Sequence, residues 1–254
     1  MKNHFFYPYF GNKRQEVEKI YNEIENIDSY THIIEPYCGS CALSFYIWMN
    51  DKDKNKTYIL NDNDEKLIEL FTISKDKTKF DKLCDDLDAL HLTITNKDEY
   101  QKVVSKSDLV SWIYIRKVCS FRIGLYPTNK KFNIDCFKNF RNAPIIDFFR
   151  NANIIISNKD GMEVYNEYKA NPKALLFLDP PYLICDNNWY SKTNINIYEY
   201  LSENDISKEK ALILLCLENI WIIKLLFKGK KHILYDKKYE TTKKKTEHIL
   251  VMNK

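Results

Sequence analysis

Four short apolar runs, each followed by a turn and a helical pattern, constrain the fold of this chain more than any other feature. They lie in "THIIEPYCGS", "KTYILNDND", "NANIIISNKDG" and "KALLFLDPPY", and their apolar residues do not alternate with polar ones. Such runs are typical of strands buried on both faces, so we predict an α/β fold with a mostly parallel, Rossmann-like sheet. The closing stretch "KHILYDKKYETTKKKTEHILVMN" predicts an antiparallel hairpin at the sheet edge.

The segment between the second and third runs, residues 74–150, lacks this strand and helix rhythm. It contains helical candidates at 79–90, 97–104 and 107–119, followed by a polar, aromatic stretch. We interpret 74–150 as an inserted, mainly helical subdomain. Residues 1–73 and 151–254 then form the sheet domain together.

Composition bounds the location and partners of the protein. The 254 residues are 44% hydrophobic, which supports a sizeable core, and no apolar run reaches membrane-spanning length. The seven cysteines are an odd number in a long chain, which favours a reducing intracellular compartment: a bacterial cytoplasm, or the cytoplasm or nucleus of a host for a viral protein. The net charge of +4 is compatible with a polyanionic partner, and the lysine-rich C-terminal hairpin is either solvated surface or part of such an interface.

Polar residues follow each of the four apolar runs. Glu35 to Gly39, Asn61-Asp62, Asn158 to Asp160 and Asp179 to Tyr182 would meet at the carboxyl edge of a parallel sheet, where ligands bind. A glycine after the first strand and an acid after the second suit a nucleotide-like cofactor, because the chain can approach it closely and the acid can bind ribose hydroxyls. An acid after a strand is also a common helix cap.

The tetrapeptide Asp179-Pro180-Pro181-Tyr182 carries a more specific signal. The exocyclic amine of an aromatic base is a weak nucleophile, because its lone pair is delocalised into the ring. A carboxylate and a backbone carbonyl can accept both of its N–H bonds, and the prolines stiffen the turn that presents them. A tyrosine ring can stack on an extruded base. The alternative interpretation is a Pro-Pro turn with an aspartate cap.

These residues resemble a known family, the Dam-type, D12-class adenine-N6-specific DNA methyltransferases. The resemblance extends over nearly the whole chain in the family's order, and its motifs are "YFGNKR", "IEPYCGSCALSF", "YILNDND", "SNKDG", "FLDPPY" and "KTEHILVMN". It implies a class I methyltransferase sheet, S-adenosyl-L-methionine as methyl donor with S-adenosylhomocysteine as product, and no metal.

The resemblance also implies roles for individual residues. The adenine amine would be held by Asp179 and the carbonyl of Pro180, with Pro181 in the same motif and Tyr182 stacked on the flipped base. Asp62 would bind the cofactor ribose and Asp160 the cofactor adenine. The implied cofactor-binding set is Tyr9, Gly11, Lys13, Glu35, Pro36, Tyr37, Gly39, Ser40, Cys41, Asp62, Asn63, Asp160 and Asp179.

The segment "FRIGLYPTNKKFNI" resembles the family's target-recognition segment and implies binding of a short duplex sequence, with a GATC-like target as the prediction. Pro127 stands where GATC-reading relatives carry arginine, and Arg122 is the candidate substitute, since arginine reads guanine bidentately. Cys41 stands where the family has glycine. The DNA-binding candidates are Arg116, Arg122, Tyr126, Asn129, Lys130, Lys131, Asn133 and Arg141.

Three alternatives remain open on the sequence alone. The same chemistry could act on RNA adenine or on a protein glutamine amide, although glutamine methylases of this fold carry Asn before Pro-Pro-Tyr. The chain could also be a catalytically impaired DNA-binding subunit. A metal or redox role for Cys38-x-x-Cys41 is disfavoured, because no second pair follows at a suitable spacing. We expect double-stranded DNA as partner, no membrane, a monomer or weak dimer, and no physical requirement for a cognate restriction endonuclease.

Overall fold

The computed structural model describes residues 5–6, 13–51, 54–119, 137–182, 196–238 and 245–254. Contacts divide the chain into two compact units. One comprises Lys13–Glu65 and Ala152–Lys254 and contains the sheet; the other comprises Met1–Asn12 and Lys66–Asn151. Among the helices of these described ranges, none is long and apolar enough to cross a membrane.

The first unit is built on a seven-stranded sheet of order β3-β2-β1-β4-β5-β7-β6. The strands are β1 (His32–Glu35), β2 (Thr57–Asn61), β3 (Asn153–Ser157), β4 (Ala174–Leu178), β5 (Leu212–Glu218), β6 (Lys231–Lys238) and β7 (Lys245–Met252). The first five are parallel, and β7 pairs antiparallel with both β5 and β6. The predicted α/β sheet with an antiparallel C-terminal hairpin is therefore confirmed.

One strand of this sheet, β5, was missing from the sequence prediction. Its sequence, "LILLCLE", is apolar throughout, and all its residues except the last are buried. A short run of this type fits a buried strand or a buried helix equally well, so periodicity could not assign it. β5 lies between β4 and the closing hairpin. The hairpin therefore pairs with β5 and not with β4, the strand that leads to Asp179.

Helices flank the sheet because its central strands are apolar on both faces; every residue of β4 is buried. One face packs a continuous core that includes Ile34, Leu176, Ile213 and Val251. The helices of this unit are α1 (Val17–Asn22), α2 (Ala42–Asn50), α9 (Gly161–Tyr168), α10 (Asn196–Glu203) and α11 (Trp221–Leu226), with short 3-10 helices at Ile27–Ser29 and Ile206–Lys208.

The second unit is helical and has an aromatic core. The Phe6 ring lies 5.8 Å from Phe80, 5.1 Å from Phe140 and 6.0 Å from Phe149 between ring centroids. Asp76 and Asn96 begin two of the helices by accepting hydrogen bonds from backbone amides of the first turn, as N-caps do. Its helices are α3 (Glu65–Ser74), α4 (Lys77–Thr93), α5 (Lys97–Val104), α6 (Leu109–Cys119), α7 (Lys138–Arg141) and α8 (Ile145–Asn151).

The stability of the sheet unit depends on the core side chains of β4. Leu176 is fully buried and pairs with β1 and β5 on its two sides. We expect Leu176→Ala to lower the free energy of unfolding by about 2–5 kcal/mol, because it leaves a cavity between packed strands. The same substitution at Leu225, which is 63% exposed, should cost less than about 0.5 kcal/mol. Denaturant titration measures both, and equal losses would contradict this assignment of the core.

Candidate active site

The strand order reverses between β1 and β4, which makes this the switch point of the sheet. β1 is followed on one side by β2 and β3, whereas β4 is followed on the other side by β5. In open α/β sheets, ligands bind outside the carboxyl ends of the strands at such a point. Here the two strand ends supply Glu35 and Asp179, so two carboxylates meet where a ligand is expected.

Asp179 is held by Lys13, which the family resemblance placed in the cofactor-binding set. The Lys13 ammonium donates to both carboxylate oxygens of Asp179, at 2.6 and 2.5 Å, and to the Tyr182 hydroxyl at 2.8 Å. The Tyr182 hydroxyl lies 3.2 Å from Oδ1 of the same carboxylate. The structure thus brings together a carboxylate, an ammonium and a phenol from positions 166 and 169 residues apart in the chain.

Burial makes this ion pair strong. The Lys13 side chain is 3% exposed and that of Asp179 is 17% exposed. Burial lowers the pKa of Lys13, but the charge of Asp179 and their hydrogen bond outweigh it, and the net shift is upward. Lys13 is therefore held as a cation, and its two hydrogen bonds fix the direction of the Asp179 carboxylate.

The loop after β1 presents its backbone to the same edge. Gly39 has φ of +46° and Cys41 has φ of +47°, both in the left-handed region. Glycine adopts this region without strain, whereas an L residue pays roughly 1–2 kcal/mol, which explains why a glycine is usual at the position of Cys41. The Cys41 side chain is fully buried. Glu35, 2% exposed, accepts a 2.7 Å hydrogen bond from the Ser44 amide in α2.

The β2 end is tied to its neighbours by Asn61, which is fully buried. Its side-chain amide donates to the carbonyls of Pro36 and Lys159, at 2.9 and 3.0 Å. Its side-chain oxygen accepts from the Ser157 hydroxyl and the Lys159 amide, both at 2.8 Å. One side chain therefore joins the ends of three strands, a role that sequence reasoning missed because an asparagine after a strand also reads as a simple turn residue.

Asp62 follows directly and stabilises the β1 loop. Its carboxylate accepts from the Gly39 amide at 2.9 Å and from the Asp64 amide at 3.1 Å. A carboxylate offers about four acceptor sites, so capacity remains for ribose hydroxyls. Burial raises the pKa of Asp62 to about 6, although both amide bonds act in the opposite direction. Asn63 is exposed, and Ser40 is half-buried.

The β3 end carries Asp160, which caps α9 by accepting a 2.7 Å bond from the Met162 amide. A Cβ placed on the next residue, Gly161, would lie 2.4 Å from the Tyr37 ring, so only glycine allows this helix to start against that ring. The neighbouring acid and burial together raise the pKa of Tyr37, burial contributing more. Asp160 thus fits the helix-cap interpretation.

A layer of polar side chains lies behind Tyr182, and sequence reasoning missed it. The Tyr182 hydroxyl is 3.2 Å from Nδ1 of His248 on β7 and 3.7 Å from Sγ of Cys216 on β5. The hydroxyl of Tyr235 on β6 lies 2.7 Å from the same sulfur. A histidine, a cysteine and a tyrosine in three separate strands have no shared motif. Strand pairing alone makes them neighbours. His248 on β7 lies opposite Tyr235 of β6 and opposite Glu218 of β5, the strand that also carries Cys216.

The DNA-binding candidates fall into two groups. Arg116 in α6 stacks over the Trp112 ring at 3.7 Å, and Arg141 pairs with Asp85 and Asp88 at 2.8 and 3.0 Å. Contact of Arg141 with DNA would therefore require it to leave two carboxylates. The remaining candidates lie outside the described residues, as do two cofactor-binding candidates: Tyr9, Gly11, Arg122, Tyr126, Asn129, Lys130, Lys131 and Asn133.

Several lysines of the C-terminal region have partners within the protein. Lys230 pairs with Asp205, and Lys231 pairs with Glu25 at 3.2 Å. Lys237 is buried and lies 3.7 Å from Glu16, which is also buried. The lysine-rich stretch is therefore partly structural. Within the described parts of the chain, no group of three or more His, Cys, Asp or Glu side chains is arranged to hold a metal ion.

The role of Asn61 can be tested by a change of one atom. Asn61→Asp removes both N–H donors and places a carboxylate against the carbonyls of Pro36 and Lys159. We expect a loss of about 3 kcal/mol or more in the free energy of unfolding. Asn142→Asp removes one exposed amide bond to a backbone carbonyl and should cost less than about 1 kcal/mol. If Asn61→Asp were as mild as this control, the three strand ends would not depend on Asn61.

The buried carboxyl of Glu35 predicts a pH dependence of stability. Burial raises its pKa to about 7, although the hydrogen bond from Ser44 acts in the opposite direction. The folded protein then holds a proton that the unfolded chain releases at its ordinary pKa, so this stabilisation is complete below the unfolded pKa and is lost as pH rises through about 7.

Relative to Glu35→Gln, which cannot ionise, wild type should lose up to about 3 kcal/mol across that window. Denaturant unfolding of both proteins between about pH 4 and pH 8 measures the difference. Glu203 is exposed, so the difference in the free energy of unfolding between wild type and Glu203→Gln should not change across this pH range. A flat difference for Glu35→Gln as well would mean that Glu35 is ionised in the folded protein throughout.

Comparison with known families gives one match. A sequence model described as D12 class N6 adenine-specific DNA methyltransferase matches residues 9–241. A search of curated proteins gave no significant match. The match includes the ends of β1 to β4 with the residues described above, and the seven-stranded, mostly parallel sheet is consistent with a class I methyltransferase fold. The chain belongs to the D12 class of N6 adenine-specific DNA methyltransferases.

Proposed function

We propose that this protein transfers a methyl group from S-adenosylmethionine to N6 of an adenine flipped out of a short duplex DNA sequence. The observation that carries the proposal is the Asp179 carboxylate at the switch point of the sheet, which Lys13 orients beside Tyr182. A carboxylate in a fixed orientation can accept hydrogen bonds from the N–H groups of a neutral amine. Family membership supplies adenine and DNA as the substrate class.

Asp179 and the Pro180 carbonyl accept the two N–H bonds of the amine in this proposal. Both oxygens of Asp179 already accept from Lys13, so binding of adenine either uses the remaining lone pairs or replaces one lysine contact. The Tyr198 hydroxyl donates to the next carbonyl, that of Pro181, at 3.1 Å. That bond and the two proline rings fix the direction of the turn, so the site contributes mainly positioning and electrostatics.

Tyr182 provides the ring for stacking, and its hydroxyl fixes the orientation of that ring. Lys13 and His248 both lie within hydrogen-bond distance of the hydroxyl. Extrusion of a base costs a few kcal/mol, and stacking on an aromatic side chain returns roughly 1–3 kcal/mol. A ring held at its far end loses little further freedom when the base arrives, which favours this use of a tyrosine over a phenylalanine.

The residues at the first three strand ends fit S-adenosylmethionine. Asp62 keeps free acceptor sites for ribose hydroxyls, Gly39 allows close approach of the loop, and Asp160 suits the adenine. When bound, S-adenosylmethionine supplies an electrophilic methyl group on a sulfonium. The protein needs no nucleophile of its own, and burial raises the pKa of both Cys38 and Cys41, which keeps these thiols protonated.

Target recognition is assigned to residues 74–150, with a GATC-like sequence as the predicted target. Arg116 is a described candidate in α6, where its guanidinium stacks on the Trp112 ring. Arginine in such a position contacts either phosphates or a guanine edge.

Methyl transfer can be tested directly against the alternatives. The protein is incubated with S-adenosylmethionine labelled in the methyl group and, separately, with duplex DNA, single-stranded DNA, RNA and a glutamine-containing protein. We expect label in duplex DNA. Label in RNA alone would move the same chemistry to the alternative substrate. No label in any acceptor, with the cofactor still bound, would favour the impaired subunit.

The role of Asp179 is best tested by a pair of substitutions. Asp179→Asn alone leaves the buried Lys13 cation without its partner, which costs roughly 3–5 kcal/mol of stability. The double variant Lys13→Met/Asp179→Asn removes both charges, so it should recover the stability that Asp179→Asn loses. We expect transfer to fall by at least about 100-fold in both variants, since neither has the carboxylate.

Calorimetric titration with S-adenosylmethionine measures whether each variant still binds the donor. Asp236→Asn, an exposed position on β6, is the control and should retain full transfer. Transfer near the wild-type rate in the stable double variant would show that Asp179 does not hold the amine.

A further inference from the structure

The polar layer behind Tyr182 centres on His248. His248 is fully buried, and its ring lies 5.2 Å from that of Tyr182 at an interplanar angle of 81°. The Tyr235 ring approaches it at 5.7 Å. Burying a histidine among aromatic rings is costly unless its ring nitrogens have partners, and the Tyr182 hydroxyl is such a partner at 3.2 Å from Nδ1.

The hydroxyl of Tyr182 has one proton and three possible acceptors: Oδ1 of Asp179, Nδ1 of His248 and, at 3.7 Å, Sγ of Cys216. Of these, the thiol is the weak acceptor. Its oxygen receives a hydrogen bond from Lys13, because an ammonium can only donate. Burial raises the pKa of Tyr182, so the phenol keeps its proton. That proton can be donated to Oδ1 of Asp179 or to Nδ1 of His248, which are both 3.2 Å away.

The choice between these acceptors affects Asp179. Lys13 already uses one acceptor site on each carboxylate oxygen. If Tyr182 also donated to Oδ1, that oxygen would be saturated and only Oδ2 could accept the amine. If Tyr182 donates to His248, both oxygens of Asp179 keep an acceptor site. A neutral imidazole with its proton on Nε2 presents Nδ1 as the acceptor required.

The charges around His248 favour the neutral imidazole. Burial, together with the positive charges of Lys13 and Lys237, lowers the pKa of His248 to about 3. Lys237 is itself balanced by Glu16 at 3.7 Å. The other polar groups facing this layer are Cys216, whose pKa burial raises, and Tyr235. Burial and the two nearby lysines therefore keep a neutral acceptor next to Tyr182.

We infer that His248 is a positioning residue for adenine methylation: by accepting the Tyr182 proton it orients that ring and leaves the Asp179 carboxylate open to the adenine amine. The inference rests on the proposed function of Asp179 and Tyr182. It concerns a residue on β7 that lies opposite Glu218, the last residue of β5. A purely structural histidine would affect folding without affecting the reacting carboxylate.

Three single variants separate these roles. His248→Phe keeps a buried ring without an acceptor, His248→Asn keeps a polar atom near the position of Nδ1, and Tyr182→Phe removes the hydroxyl. We expect His248→Phe to lower kcat about tenfold, the effect of one lost hydrogen bond, with little change in KM for the methyl donor. His248→Asn should restore most of that loss. Tyr165→Phe, another buried tyrosine of the same unit, serves as the control with unchanged kcat.

The double variant His248→Phe/Tyr182→Phe tests whether the histidine acts through the hydroxyl. We expect it to be no slower than Tyr182→Phe alone, because the two changes remove one shared interaction. Rates are compared per folded molecule, from unfolding curves of each variant. Losses that multiply, or a His248→Phe protein with wild-type kcat, would overturn the inference.

A spectroscopic measurement keeps this test independent of the methylation assay. In protein labelled with 15N at its 5 histidines, the His248→Asn spectrum identifies the His248 ring signals. We expect an unprotonated Nδ1 at neutral pH whose chemical shift changes in Tyr182→Phe. A protonated Nδ1, or a shift that does not respond, would overturn the inference even where methylation succeeds. Conversely, absence of methylation in wild type with the expected spectrum would overturn the proposed function and leave the hydrogen bond established.

Discussion

The buried ion pair between Lys13 and Asp179 is the interaction around which the strand ends are arranged. It joins the segment that precedes α1 to the end of β4, positions 166 residues apart. Two charges removed from water at this depth are stable only together, since either one alone would cost several kcal/mol. Their mutual dependence fixes the direction of a carboxylate at the switch point, where a ligand is expected to bind.

The other strand ends reach the same edge through neutral hydrogen bonds. Asn61 ties the ends of β1, β2 and β3 with four bonds, and Asp62 holds the loop at Gly39. The parallel register supplies the coarse arrangement, because it brings every carboxyl end to one side of the sheet. The side-chain hydrogen bonds of Asn61 and Asp62 then fix the positions of the strand ends and of the loop at Gly39.

Sequence reasoning located the parts of this arrangement that are local in the chain. The apolar runs predicted β1 to β4, and the closing hairpin was predicted as an antiparallel pair. β5 was missed because a buried apolar run has no periodicity that distinguishes strand from helix. Lys13 was associated with the cofactor, and its contacts with Asp179 and Tyr182 could not be foreseen, because spacing along the chain carries no information on partners 166 and 169 residues away. The layer containing His248 depends on strand pairing for the same reason.

The central claim is that Asp179 to Tyr182 hold the N6 amine of adenine in DNA. Duplex DNA treated with the protein and S-adenosylmethionine can be digested to nucleosides and analysed by mass spectrometry. We expect N6-methyl-2′-deoxyadenosine from wild type and none from the stable Lys13→Met/Asp179→Asn variant. Methylation of another base, or N6-methyladenine formed equally well by that variant, would contradict the claim.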